Sequence, residues 1–260
     1  MKYSFRKIGA VALASILELL RRRDVYVALI LALVLLLPVV SVNVFGVEGI
    51  VRYVREVTLL LIWIFSVVII ITNAARQIPG EVQRRTILPL LSKPIGRGEL
   101  LMGKFFGASI AASLALLLFY AGYSLLTFIK SESMGGVVFV EALFLHLLFA
   151  FLLTSMVLLG SMLLTPSANI TVCLLLTGGM LLYGNNLSQM AAETSAPAAW
   201  FLKLLHFILP HFEFFDLRLR LVHDWNAVGI WPMLGVTVYT VFYTTAMLVA
   251  ATFIFRSKKW

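Results

Sequence analysis

The chain has 260 residues, of which 61% are apolar and 13% charged, with a mean hydropathy of +1.00. A soluble domain is nearer ~45–50% apolar and about 25% charged, so this is an integral membrane protein and not a water-soluble enzyme. No polar stretch reaches the size of a domain, which excludes a nucleotide-hydrolysing domain, and the lone Cys173 excludes a disulfide framework.

Residues 3–22 predict an amphipathic helix at the cytoplasmic interface. Phe5, Ile8, Ala12, Ile16 and Leu19 fall on one face, away from Arg6, Lys7, Glu18, Arg21 and Arg22. Arg21, Arg22 and Arg23 then mark the headgroup layer. The basic region is too long, and lacks the small-residue site, for a cleavable signal. Six segments have the apolar length of about 20 residues that a membrane-crossing helix needs: 25–42, 57–74, 105–129, 142–164, 170–187 and 228–255.

The connection 76–104, between the second and third segments, is patterned. Pro79-Gly80 should break the helix of the second span. Glu81 then falls in the first turn of a new helix, where the dipole favours a carboxylate. Val82, Thr86 and Leu90 share a face against Glu81, Arg84 and Arg85, which predicts a short amphipathic helix below the membrane. Ile87 adds an apolar side chain. Lys93-Pro94 stops that helix, Pro89 should kink or end it near Leu88, and Gly98-Glu99 opens the third span. A short element with an apolar stripe and a charged flank suits a protein groove. A basic loop that only meets anionic headgroups would not need the Pro-Gly entry and Pro exit.

The third span carries Gly103, Gly107, Ala111 and Ala115 at four-residue steps, a pattern that permits close helix packing within the subunit or across a dimer seam. His146 is the only titratable side chain well inside an apolar segment. It reads as a hydrogen-bonded packing residue, because no carboxylate near mid-span and no broken helix suggests ion coupling. Gly160-Ser161 lacks the glycine-flanked serine of a hydrolase, so an intramembrane enzyme is disfavoured. In the long outer connection, residues 197–209 are nearly all apolar and bounded by Pro197 and Pro210. At about 1.5 Å per residue they are too short to span and predict a re-entrant or interfacial helix. Leu217 to Leu221 alternates with period two, which favours an extended segment. His206, His211 and His223 give only a weak metal-site pattern, so no metal is expected.

Lysine and arginine set the orientation. Fifteen lie in the N-terminal segment, the 76–104 connection and the tail, and six in the remaining connections. The excess places both termini in the cytoplasm. The net charge of +9 is therefore mostly topology, with no nucleic-acid partner implied.

The connection resembles that of the type-2 ABC transporter permeases. There a Glu, a Thr five residues later, a Leu-Leu-Ser-x-Pro stop, an Arg and a Gly-Lys link spans two and three. Here these are Glu81, Thr86, Leu90-Leu91-Ser92-Lys93-Pro94, Arg97 and Gly103-Lys104. The stretch from Leu209 to Asp216 is similar to the branch containing the permease for nitrous-oxide reductase maturation.

The resemblance implies one transmembrane permease domain over 1–260, an all-α six-span fold in the cytoplasmic membrane, and an exporter role. It implies a second permease copy, identical or related, and a separate ATP-binding subunit that holds ATP and Mg. The permease chain itself would hold no cofactor. The coupling residues would be Glu81, Val82, Arg84, Arg85, Thr86, Ile87 and Leu90. Ser92, Lys93, Pro94, Arg97, Gly103 and Lys104 would stop the helix and re-enter the membrane. The alternative is an ATP-independent membrane anchor or assembly module of a larger complex.

Overall fold

A computed structural model describes residues 2–20, 30, 48–83, 96–129, 135–184, 199–200, 203–204, 207 and 209–257. Among these residues the chain is helical, with no strand. That is the expected answer to lipid, where backbone amides must find partners within their own segment. The helices are α1 (Lys2–Leu20), α2 (Glu48–Ala75), α3 (Pro79–Gln83), α4 (Arg97–Ile129), α5 (Gly136–Leu163), α6 (Pro166–Tyr183), α7 (Arg218–Val222) and α8 (Ile230–Ser257). A 3₁₀ turn, Phe212–Phe215, precedes α7.

Among the described residues five helices are long and apolar enough to cross a membrane: α2 with its continuation, α4, α5, α6 and α8. They overlie the predicted segments 57–74, 105–129, 142–164, 170–187 and 228–255. The predicted first span, 25–42, lies outside the described residues apart from Ile30. The end of the bundle that carries α3, Arg97 and Arg256, expected to be cytoplasmic, is called the inner end and the opposite one the outer end.

The central helix is α5, buried along most of its length and packed against α2, α4, α6 and α8. Helix α8 and helix α6 are peripheral and present large apolar side chains outward, such as Leu175, Leu182, Trp231 and Phe242. Lipid tails solvate apolar side chains as well as a neighbouring helix does, so close packing and interhelical hydrogen bonds must hold the bundle. Several helix–helix joints show such a device. Asn169 of α6 donates from Nδ2 to the Val157 carbonyl of α5 at 3.0 Å. Its carboxamide occupies the space a side chain on Gly160 would need. Glu141 of α5, 5% exposed, accepts the N–H groups of Val228 at 2.9 Å and Gly229 at 3.3 Å, fixing the entry to α8. Arg55 of α2 donates to the Leu221 carbonyl at 2.8 Å and to Asp224 at 3.1 Å.

The outer connection packs into the bundle. Phe212 and Phe215 are fully buried, with ring centroids 5.3 and 6.1 Å from that of Phe149. The predicted extended segment at 217–221 is instead largely helix α7. Asp216 Oδ1 accepts the Arg218 N–H at 3.0 Å, an Asx turn that opens the helix. Leu217, Leu221 and Val222 then go inward while Leu219 stays exposed, a period near four. Of the predicted 197–209 helix, positions 199, 200, 203, 204 and 207 are helical, with Trp200 and Phe207 exposed. Its other residues up to 208 lie outside the described set.

Candidate functional site

The site is built at the end of α2 that leads into α3. Helix α2 ends at Ala75 and residues Arg76–Ile78 turn. The hydrogen bonds continue almost without a gap: Gly80 N–H to the Arg76 carbonyl at 3.1 Å and Val82 N–H to Ile78 at 3.2 Å. Pro79 begins α3, a position where its missing N–H leaves no partner unsatisfied. Glu81 lies in the first turn. Ile78 is buried among Leu101, Phe105, Leu158, Met162 and Phe255, the inner ends of α4, α5 and α8. Val82 packs half-buried against the same cluster, so one of its sides is already occupied within the chain.

Lys104 is the hub. Its side chain is 5% exposed and pairs with Glu81 of α3 and, at 3.8 Å, with Glu18 of α1. Three helices thus converge on one ammonium group. Such a pair resists separation, because drawing one partner away leaves charge in a poorly solvated place. Arg97 makes the second link. It donates to the last carbonyls of α8, Phe255 at 3.1 Å and Arg256 at 2.8 Å, where a cation also meets the negative end of the helix dipole.

The small residues of α4 make the third link. A side chain at Gly103 would fall 2.6 Å from Val11 Cβ, and one at Gly107 would fall 2.5 Å from Ser15 Cβ. Helix α1 therefore lies directly on this part of α4, running parallel to it. Lys7 and Glu99, 3.9 Å apart, continue the same register. The inner half of the four-residue stripe is thus an intramolecular seam.

Residue by residue, the described structure brings Glu81, Val82, Arg97, Gly103 and Lys104 to one end of the bundle. Arg84, Arg85, Thr86, Ile87, Leu90, Ser92, Lys93 and Pro94 lie outside the described residues. Sequence reasoning placed Glu18 only on the polar side of α1. The expected apolar face already holds Ile8 and Ala12 of the seam but leaves out Val11 and Ser15, the side chains seated on the glycines. The seam selects small side chains: Val11, Ala12 and Ser15 are buried, whereas Leu13 and Leu17 are exposed at 59% and 48%. The signal that could have found it is Ala12 and Ser15 facing two glycines of α4.

Higher in the bundle, fully buried His146 joins three spans. Its Nε2 lies 2.8 Å from Ser66 Oγ of α2 and its Nδ1 3.2 Å from the Tyr120 hydroxyl of α4. Ser66 Oγ already donates to the Trp63 carbonyl at 2.8 Å, which assigns the ring proton to Nε2 and leaves Nδ1 to accept from Tyr120. Trp63 stacks on the imidazole with centroids 4.3 Å apart. Arg218, held in a bidentate pair by Asp216, lies 5.4 Å from the Trp63 ring centre. A neutral, satisfied histidine between aromatic rings is a packing element. Among the described residues, no three His, Cys, Asp or Glu side chains stand together as a metal-ligand group.

Compared with known families, residues 5–260 match the model described as ABC-2 family transporter protein. A search of curated proteins gives no match.

Proposed function

The chain belongs to the ABC-2 family of transporter proteins, and from that premise we propose that it is the permease of an ATP-driven exporter, powered by a separate ATP-binding subunit that docks on loop 76–104. A permease of this family is a membrane component of the transporter and not itself the catalyst. ATP and Mg would be held by the docked subunit. Two permease copies would enclose the substrate path, with both termini in the cytoplasm and the protein in the cytoplasmic membrane. The outer 197–209 helix would shape the exit. The Leu209–Asp216 stretch favours the branch that contains the permease for nitrous-oxide reductase maturation.

The observation that carries the mechanical part is the convergence of Glu81, Lys104 and Glu18. A push on α3 from below is felt at once by the third span and by the N-terminal helix. Closure of the ATPase subunits on ATP would move α3. The ion pair and the apolar contacts of Ile78 would pass that displacement into α4, α5 and α8. In this reading Glu81 works through its own chain, while Ile87 and Leu90 fill the partner's groove and Arg84 and Arg85 meet its rim.

The test is a pair of substitutions in the reconstituted complex, with ATPase activity and transport both measured. An apolar anchor buried in a partner groove contributes about 1.5–3 kcal/mol, and a screened rim charge about 0–1 kcal/mol. Leu90→Asp should therefore uncouple or dissociate the complex far more than Arg84→Glu, with membrane insertion intact in both. A Leu90→Asp complex that assembles and transports like the parent would refute docking on this loop.

A further inference from the structure

Helix α8 packs mainly along α5 and meets α4 near the inner end, where Gly98 meets the Thr252 methyl and Arg97 caps the last turn. Between α8 and α4 this leaves a groove of about 390 Å³, within the ~300–1,000 Å³ of small-molecule sites. Met102 forms one wall. On α8 the lining residues Thr245, Val249, Thr252, Phe253 and Arg256 recur at three- and four-residue steps, so one helical face runs along the groove. Thr252 donates its hydroxyl to the Leu248 carbonyl at 2.8 Å and turns its methyl toward α4. The walls are thus apolar almost to the mouth, where Arg256 stands exposed.

We infer that this groove binds an anionic phospholipid, one acyl chain along α8 and its phosphate at Arg256. Length supports this. From Thr245 to Arg256 the face rises roughly 16 Å at the helical rise per residue, about half the ~30 Å hydrocarbon core, which is the depth of one leaflet. Charge supports it too. Arg256 closes the span at the headgroup level, and Arg97 lies against its backbone. The nearby carboxylate of Glu99 is engaged by the Gly96 N–H at 2.9 Å and by Lys7. A basic side chain at the open end of an apolar groove between spans matches a lipid phosphate and its tail. Lipid binding of this kind does not depend on what is transported.

The full-length chain, extracted from vesicles of equal phosphatidylglycerol and phosphatidylcholine, is assayed by native mass spectrometry for retained lipid. The parent should retain phosphatidylglycerol in preference. Arg256→Gln should lower the phosphatidylglycerol-to-phosphatidylcholine ratio about fivefold, the equivalent of ~1 kcal/mol for one basic residue at an anionic surface. Val249→Trp, at a position 48% exposed and so open to a larger side chain, should fill the groove and abolish retention of both lipids. An unchanged ratio in Arg256→Gln, undiminished retention in Val249→Trp, or no preference in the parent would overturn the inference. So would a disulfide between two chains carrying Val249→Cys in the membrane, which would make the occupant a second copy.

Discussion

From mid-height to the outer end, Trp63, His146, Phe149, Phe212 and Phe215 form one ring-packed block across α2, α5 and the outer connection, with Tyr120 of α4 joined to it. At the inner end the joints between α1, α3 and α4 are a buried ammonium between two carboxylates and a pair of glycines under a facing helix. The rings interlock in shape, and any relative motion of their helices opens voids. The ion pairs and the seam concentrate their strength in a few directional contacts. The contrast teaches where the molecule can yield: the ring block holds its helices as a unit, and under the proposed drive from an ATPase at α3 the inner joints would pass on the displacement.

The contrast breaks first at Lys104. Lys104→Met removes the cation that Glu81 and Glu18 share. Breaking a buried pair costs about 3–5 kcal/mol, and the partial exposure of Glu18, 33% at the side chain, puts this case near the lower end. The expected result in the reconstituted complex is a loss of transport much greater than the loss of ATPase activity. Wild-type transport at wild-type ATPase cost would remove the hub from the mechanism.

Phe149→Ala tests the other region. A phenylalanine-to-alanine cavity costs about 3–5 kcal/mol in water-soluble cores. Here ~2–3 kcal/mol is expected, because lipid already solvates the ring when the helices are apart. Melting in detergent should fall, while transport per ATP in the surviving protein stays near the parent's. If the ratio collapses as it does in Lys104→Met, the two regions are not mechanically distinct.

Gly107→Val should cost about 1–3 kcal/mol by overpacking, since the added carbons meet the Ser15 side chain and the Ala12 backbone. Its signature is local: faster proteolysis or hydrogen exchange of α1, with α5 unchanged. Equal protection of α1 in both proteins would mean that the seam is not seated this closely.

Tyr120→Phe is the smallest change. It removes one hydrogen bond to His146, worth about 0.6–1 kcal/mol inside a membrane. A small drop in melting temperature is expected and transport should persist. Loss of transport with intact stability would give His146 a role beyond packing.

Spans were legible because hydropathy is local, and the break before α3 because Pro79-Gly80 acts on its own backbone. Arg97, Gly103 and Lys104 could be singled out, but not their partners. Glu18, Ser15 and the carbonyls of Phe255 and Arg256 are remote in sequence, and no single-helix pattern encodes which turn of α1 meets which turn of α4. One reading failed: the alternation at 217–221 favours an extended segment, where Asp216 folds Arg218 back and the 3.6-residue period prevails. The expected apolar face of α1 holds Ile8 and Ala12 of the seam, but Val11 and Ser15 beside them stand out only once α4 is in place. The His146 cluster needed Ser66 and Tyr120, polar residues unremarkable in their own spans until three helices meet.

Helix α1 sits on α4 in a repeating register. Ile8 and Val11 lie over Gly103, and Ala12 and Ser15 over Gly107. Both helices repeat the contact every four residues, but a shift of one turn either way, about 6 Å, sets Ser15 on Ala111 or Val11 on Glu99, each with a Cβ where the present seat needs a glycine. Intermediate offsets set side chain against backbone and fit no better. The seam is therefore a keyed joint with a single seat rather than a sliding surface, and the Lys104 ion pairs lie beside it.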